Sequence, residues 1–199
     1  MIPPTDVTIV VLAFREEAPC RPLRRWLRQK EAEGYRVREG PPESQPRDVA
    51  RNQILREWLD LDTSSYLVML NPWVVPVDDS LDRLLREPGD LLYSAVLGRY
   101  GTPSHWPRFD TAAFRLSRSL AARLPPRPFR LDVNSTGTRL VRCECHSLLA
   151  LLPPGIDPIR VGRVGRLTPI VVWMDDGGRL RWAPPYITPA PNTPAEKIP

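Results

Sequence analysis

Tyr66-Leu67-Val68-Met69-Leu70-Asn71-Pro72-Trp73-Val74-Val75-Pro76 is an apolar run that enters a short polar turn and leaves it through a proline. Apolar residues without alternation describe a strand buried on both faces, as in a parallel sheet covered by helices. The stretch before it, opened by Ser44-Gln45-Pro46, has helical spacing, and a proline suits a first helical turn. Val49, Leu55, Trp58 and Leu59 recur near the 3.6-residue period and put one face on the sheet. The same helix carries Arg47, Arg51 and Asn52 on its polar side.

Reading outward from this stretch, Val7 to Phe14 is a β-branched run of the same buried kind. A helix follows with Leu23, Trp26 and Leu27 on one face and Gly34 as its stop. Tyr35 to Arg38 is a short strand, closed by Gly40-Pro41-Pro42. After the central turn, a helix starts at Asp79-Ser80, buries Leu81, Leu84 and Leu85, and stops at Pro88-Gly89. Leu91 to Leu97 is again a strand. Strand and helix in this alternation predict an α/β domain whose central sheet is mostly parallel, with Val7–Phe14 and Tyr66–Leu70 as adjacent interior strands.

The second half is less periodic. Tyr100 to Pro107 reads as a loop, Thr111 to Leu124 as a helix ended by Pro125-Pro126, and Thr138 to Cys143 as a strand. A short helix over Ser147 to Leu152 meets the breaker Pro153-Pro154-Gly155. Ile170–Met174 and Arg179–Trp182 flank Asp175-Asp176-Gly177-Gly178, a hairpin signal. The domain is expected to span 1–182. The remainder, 183–199, holds six prolines in 17 residues and reads as an extended or disordered tail, a possible docking segment for a protein partner.

The 199 residues suffice for one domain with a real core. No apolar stretch approaches the ~18 residues needed to span a bilayer, and Met1 to Asp6 has no basic-then-apolar leader pattern, so the expected location is cytoplasmic. The net charge of +5 rests on 26 arginines against two lysines, Lys30 and Lys197. Coding bias accounts for that skew, as for the 25 prolines. Scattered rather than striped arginines make nucleic-acid binding a third-ranked function. Cys20, Cys143 and Cys145 form no disulfide framework, and Cys143-x-Cys145-His146 lacks a second ligand pair, so all three read as buried thiols.

Four local patterns, in this order, resemble GT-A fold glycosyltransferases of the family 2 type over roughly residues 7–165. They are the first strand and its exit, Val7 to Arg15; Ala50-Arg51-Asn52; Leu70-Asn71-Pro72-Trp73 with Pro76; and Gly137-Thr138-Arg139-Leu140-Val141-Arg142. The resemblance implies a Rossmann-like sheet with a nucleotide-sugar donor bound by Phe14, Arg15, Arg47, Arg51, Asn52, Asn71 and Trp73. It also implies transfer to an acceptor that the sequence does not name. A fifth pattern resembles the family's Glu-Asp followed six residues later by Arg: Ile156-Asp157 before Arg163, with isoleucine at the Glu position. The resemblance implies Asp157 as the catalytic base, with a simple turn residue as the alternative.

In that family the central turn reads Asp-x-Asp and holds a divalent metal such as manganese. Here Asn71 offers a neutral oxygen and Trp73 offers a hard cation nothing, so a metal is not favoured. Asp78 and Asp79 either hold a displaced ion or cap the next helix. Otherwise Arg15, Arg47 or Arg51 supplies the positive charge, or the site is silent and the fold serves binding or assembly. Trp73 stacks on a base or sugar, or packs as an ordinary core tryptophan. His105, in the irregular loop, is a candidate proton or phosphate partner.

Overall fold

The computed structural model describes residues 2–12, 19–40, 46–96, 109, 111–133, 140–166, 172–174 and 180–182. Its first strand, β1 (Val7–Val11), has all five side chains buried, the outcome that an unbroken β-branched run requires. A helix, α1 (Arg21–Ala32), and a strand, β2 (Arg36–Glu39), follow. Gly34, at φ +91°, turns the chain between them through the left-handed region. Next come α2 (Arg47–Leu61), β3 (Tyr66–Leu70), β4 (Val74–Val75), α3 (Ser80–Arg86) and β5 (Leu91–Val96). The second half supplies β6 (Ala113–Ser117), α4 (Arg118–Ala121), β7 (Asp132–Val133), β8 (Leu140–Arg142), α5 (Glu144–Ala150) and β9 (Ile159–Arg166). A hairpin of β10 (Val172–Met174) and β11 (Leu180–Trp182) lies where the Asp-Asp-Gly-Gly signal put one.

Seven strands form one sheet in the order β2-β1-β3-β6-β5-β9-β4. Following the pairings across it, β2, β1, β3, β5 and β9 run in one direction while β6 and β4 run against them. The sheet is therefore mostly parallel, and β1 and β3 are adjacent interior strands in register from Val7↔Tyr66 to Val11↔Leu70. Each covered face has its own core. Val7, Ile9 and Val11 pack with Leu23, Trp26, Leu81 and Leu84 on the side of α1 and α3. Val10, Leu67 and Met69 pack with Ile54, Leu55, Trp58 and Leu148 on the side of α2 and α5. Alternate side chains of one apolar strand thus feed opposite cores.

Several expectations need correcting. Thr111 to Leu124 is not one helix: its first part is the interior strand β6, and only Arg118–Ala121 is helical. The reason is Arg115, which reads as a solvent-facing helix position but is fully buried in the strand. Its guanidinium donates to the carbonyls of Leu84 at 2.7 Å, Glu87 at 2.6 Å and Gly89 at 3.0 Å, and lies over the Tyr66 ring at 4.4 Å. Those carbonyls belong to the end of α3 and the turn after it, orphan acceptors that a cation suits well.

Ile159–Arg166 forms the eight-residue strand β9, which its two glycines hide from pattern reading. Gly162 is needed there, because an added Cβ would come within 2.2 Å of the Ser80 Cβ on α3. Helix α5 begins three residues before the expected Ser147, and β8 ends at Arg142, one residue before the expected Cys143. Val49 is 44% exposed, and Ile54 takes its expected place in the core. The tail 183–199, the Tyr100–Pro107 loop with His105, and the candidates Phe14 and Arg15 lie outside the described residues. No described helix is long and apolar enough to cross a membrane.

Candidate functional site

The chain leaves β1 through α1 to β2 on one side, then returns through α2 to β3 on the other. The carboxyl ends of β1 and β3 are therefore a topological switch point, where open α/β sheets form a ligand crevice. Leu12, Gly40 and the turn at Asn71 meet there. The Leu12 amide donates to the Leu70 carbonyl at 2.8 Å and the Gly40 amide to the Val11 carbonyl at 2.7 Å. The Cys20 amide reaches the Pro72 carbonyl at 2.8 Å, so the start of α1 is anchored to the turn.

The turn is braced from inside. Arg51, the fifth residue of α2, is fully buried rather than solvated on a polar face. Its NH2 donates to Asn71 Oδ1 and to the Thr111 carbonyl, both at 2.9 Å, and NH1 forms an ion pair with Glu144 at the start of α5. The Asn71 amide donates to the Ala112 carbonyl at 2.8 Å. One guanidinium thus ties α2, β3, the entry to β6 and α5 together behind the turn. Glu144 and Thr111 had no signature in the sequence: one is a helix-start acid, the other a residue before an unread strand.

The other candidates divide by place. Trp73 is 5% exposed and packs in the core of α1 and α3. Asn52 neighbours Arg51 in sequence but faces elsewhere, where it donates to the Phe129 carbonyl at 2.7 Å and accepts from the Phe129 amide at 3.1 Å. It lies in a groove of about 500 Å³ between α2 and residues 126–132, with Arg56, Arg127 and Arg130 among the lining residues. Arg47 is half-buried in the first turn of α2.

Asp157 is elsewhere. It is exposed, two residues before β9, and Ile159 is level with Leu92, Arg115 and Val68 across the sheet. β9 enters from the amino ends of the parallel strands, so Asp157 stands at the edge opposite Asn71. Strand geometry puts roughly 20 Å between them. The expected base and the expected donor turn do not share a site.

The donor set does not fit a divalent ion. Asn71 spends its side-chain oxygen on Arg51, and Trp73 supplies no oxygen. Asp78 accepts from the Ser80 amide at 2.8 Å, the helix-capping role, while Asp79 is exposed at the N-cap. Among the described residues no group of three His, Cys, Asp or Glu is placed to hold a metal.

No family model matches the sequence, and no curated protein is similar to it. Solved structures are. The protein A197 from STIV superposes with a TM-score of 0.58 at 10% identity, over 91% of this chain and 95% of that one. The β1,4-galactosyltransferase 7 of Drosophila, solved with manganese, UDP-Gal and xylobiose, superposes at 0.50 and 13% identity, over 78% of this chain and 64% of that one. Its catalytic domain with xylobiose gives the same score. The chain has a GT-A-like fold.

Proposed function

We propose that this protein binds a nucleotide sugar at the switch point between β1 and β3, and transfers the sugar to an acceptor without a metal at the Asn71 turn. The observation that carries this reading is the topological switch point, at the carboxyl ends of two adjacent parallel strands whose crossover helices lie on opposite faces. The departing diphosphate needs positive charge in place of the metal. Arg15 and Arg47, which the family resemblance also sets at the donor, are the arginines assigned to that role, and Phe14 is assigned to the base. In this scheme Arg51 and Asn71 hold the shape of the turn, and Asp157, at the other edge of the sheet, takes no proton.

The second reading is a catalytically silent GT-A-like module for binding or assembly. It is favoured by the hydrogen bonds that Arg51, Asn52 and the Asn71 side-chain oxygen already make to protein groups. Thermal unfolding in the presence of nucleotides and nucleotide sugars, each with and without manganese, separates the two. A donor held at a hundred times its dissociation constant adds about 2.7 kcal/mol to stability. The leading reading expects that shift from one or more nucleotide sugars, equally with and without manganese. No shift from any donor establishes the silent module, and a shift that needs manganese overturns the metal-free site.

A further inference from the structure

Cys143, Cys145 and His146 are a cluster of nucleophilic and titratable side chains for which the proposed transfer has no use. They sit where β8 passes into α5. Cys143 is half-buried and its Sγ lies 3.0 Å from His146 Nδ1, at an exposed edge of the fold. Cys145 is buried, with Sγ 3.2 Å from Thr111 Oγ1. The third thiol, Cys20, is set differently: its Sγ donates to the Val74 carbonyl at 3.1 Å, and burial pushes its pKa up. The three cysteines therefore occupy three distinct environments, and only Cys143 combines access to solvent with a histidine at hydrogen-bond distance.

We propose that Cys143 is a thiol-modification site that takes low-molecular-weight disulfides, with Cys145 as the resolving thiol and His146 as the group that positions the reactive sulfur. This does not depend on the glycosyltransferase reading. In the first step the Cys143 thiolate attacks one sulfur of the disulfide, a new S–S bond forms, and one equivalent of small thiolate leaves. In the second step the Cys145 thiol gives up its proton and attacks the Cys143 sulfur, and the second small thiolate leaves and takes up a proton. Two protein thiols are oxidised to one disulfide, and one small disulfide is reduced to two thiols.

Electrostatics agree with the geometry. The hydrogen bond from Cys145, with further ones from the His146 amide and ring, holds the Cys143 thiol down at about 4. A thiol of this kind is the anion throughout the neutral range, which is the form that attacks disulfides. Low-pKa, accessible thiols beside a second cysteine are the pattern of reversible oxidation sites. Against an ordinary thiol at pH 6, ionisation gains about two and a half decades and the weaker nucleophilicity of a low-pKa thiolate forfeits about two, leaving roughly threefold. Glu144, between the two cysteines, is the acid that pairs with Arg51. Closing a 143–145 disulfide would draw Cys145 from Thr111 and shift the brace behind the Asn71 turn.

The test is the reaction of the full chain with the aromatic disulfide dithiobis(nitrobenzoate) at pH 6, followed by release of coloured thiolate and by peptide mapping. The expected result is one fast phase, about threefold or more ahead of any other, with the first label on Cys143 and a second equivalent released as the internal disulfide closes. Cys145→Ser should keep the fast phase but stop at one equivalent with a stable mixed disulfide. His146→Gln should slow the fast phase severalfold at pH 6 and far less at pH 9, with the urea midpoint unchanged. Mapping the first label to Cys20 or Cys145, or equal rates for all three thiols, overturns the proposal in the unmodified protein. A fast phase that persists in Cys143→Ser does so as well.

Discussion

Arg51 on α2 donates its NH2 to Asn71 Oδ1 at 2.9 Å, and both residues are inside the protein: Arg51 is 0% and Asn71 4% exposed. The asparagine at the turn after β3 is thus held by an internal cation whose own counter-ion is Glu144. A buried guanidinium with a carboxylate partner is costly to desolvate, and its worth appears when one member is removed.

Arg51→Met should destabilise the protein by about 3–5 kcal/mol, because Glu144 is then left buried without its charge partner. The double variant Arg51→Met with Glu144→Gln should recover part of that loss. Urea denaturation of the wild type and the two variants reads both numbers. A loss below about 1 kcal/mol for Arg51→Met would show that the brace behind the turn contributes little.

Asp157→Asn should leave donor binding and any sugar transfer within twofold of the wild type. Asp157 is exposed at the amino edge of the sheet, while the proposed donor site is at the carboxyl ends of β1 and β3. Turnover measured with whichever donor stabilises the protein checks this. A fall of a hundredfold or more, the size expected for loss of a general base, would return Asp157 to the site.

Gly162→Ala should cost about 1–3 kcal/mol. The added methyl would meet the Ser80 Cβ at 2.2 Å, and Ser80 is itself fixed by its hydroxyl to the Arg163 carbonyl. Pairing it with Ser80→Gly should relieve most of the clash, as thermal melts of the single and double variants would reveal. An unchanged melting temperature in Gly162→Ala would mean that α3 and β9 are not packed this closely.

Acid should weaken the protein partly through Asp62. Its carboxylate accepts from the Ser64 amide, the Thr8 hydroxyl and Arg36 at 2.8–2.9 Å. Burial opposes the charged form, yet these bonds outweigh it and hold the carboxyl below its usual range. The folded-state pKa is thus lower than the unfolded one. Its stabilisation is complete above the ordinary carboxylate value of about 3.9 and is lost as pH falls through and below it. Asp62→Asn should flatten that acid limb of the stability curve, measured by urea titrations from pH 6 to pH 3. An acid limb as steep as the wild type's would assign it to other carboxylates.

The sequence by itself determined the first half of the fold. Val7–Val11 is an unbroken β-branched run and Tyr66–Leu70 an apolar one without alternation, and a sheet interior covered on both faces satisfies both. Leu23, Trp26 and Leu27 before Gly34 likewise define a helix face and its end through local chemistry alone. Where the information was not local, tertiary structure decided. Arg115 is tolerated within β6 only because the end of α3 brings three carbonyls to it from Leu84, Glu87 and Gly89. Gly162 is a strand residue only because Ser80 lies against it. The same holds at the candidate site. The sequence named Arg51 and Asn71 as a pair of interest, but their contact with each other, and with Thr111 and Glu144, joins residues up to 93 positions apart. Asp157 shows the converse: its spacing to Arg163 is a local pattern, while the direction in which β9 enters the sheet, which no spacing records, sets it at the far edge from the turn.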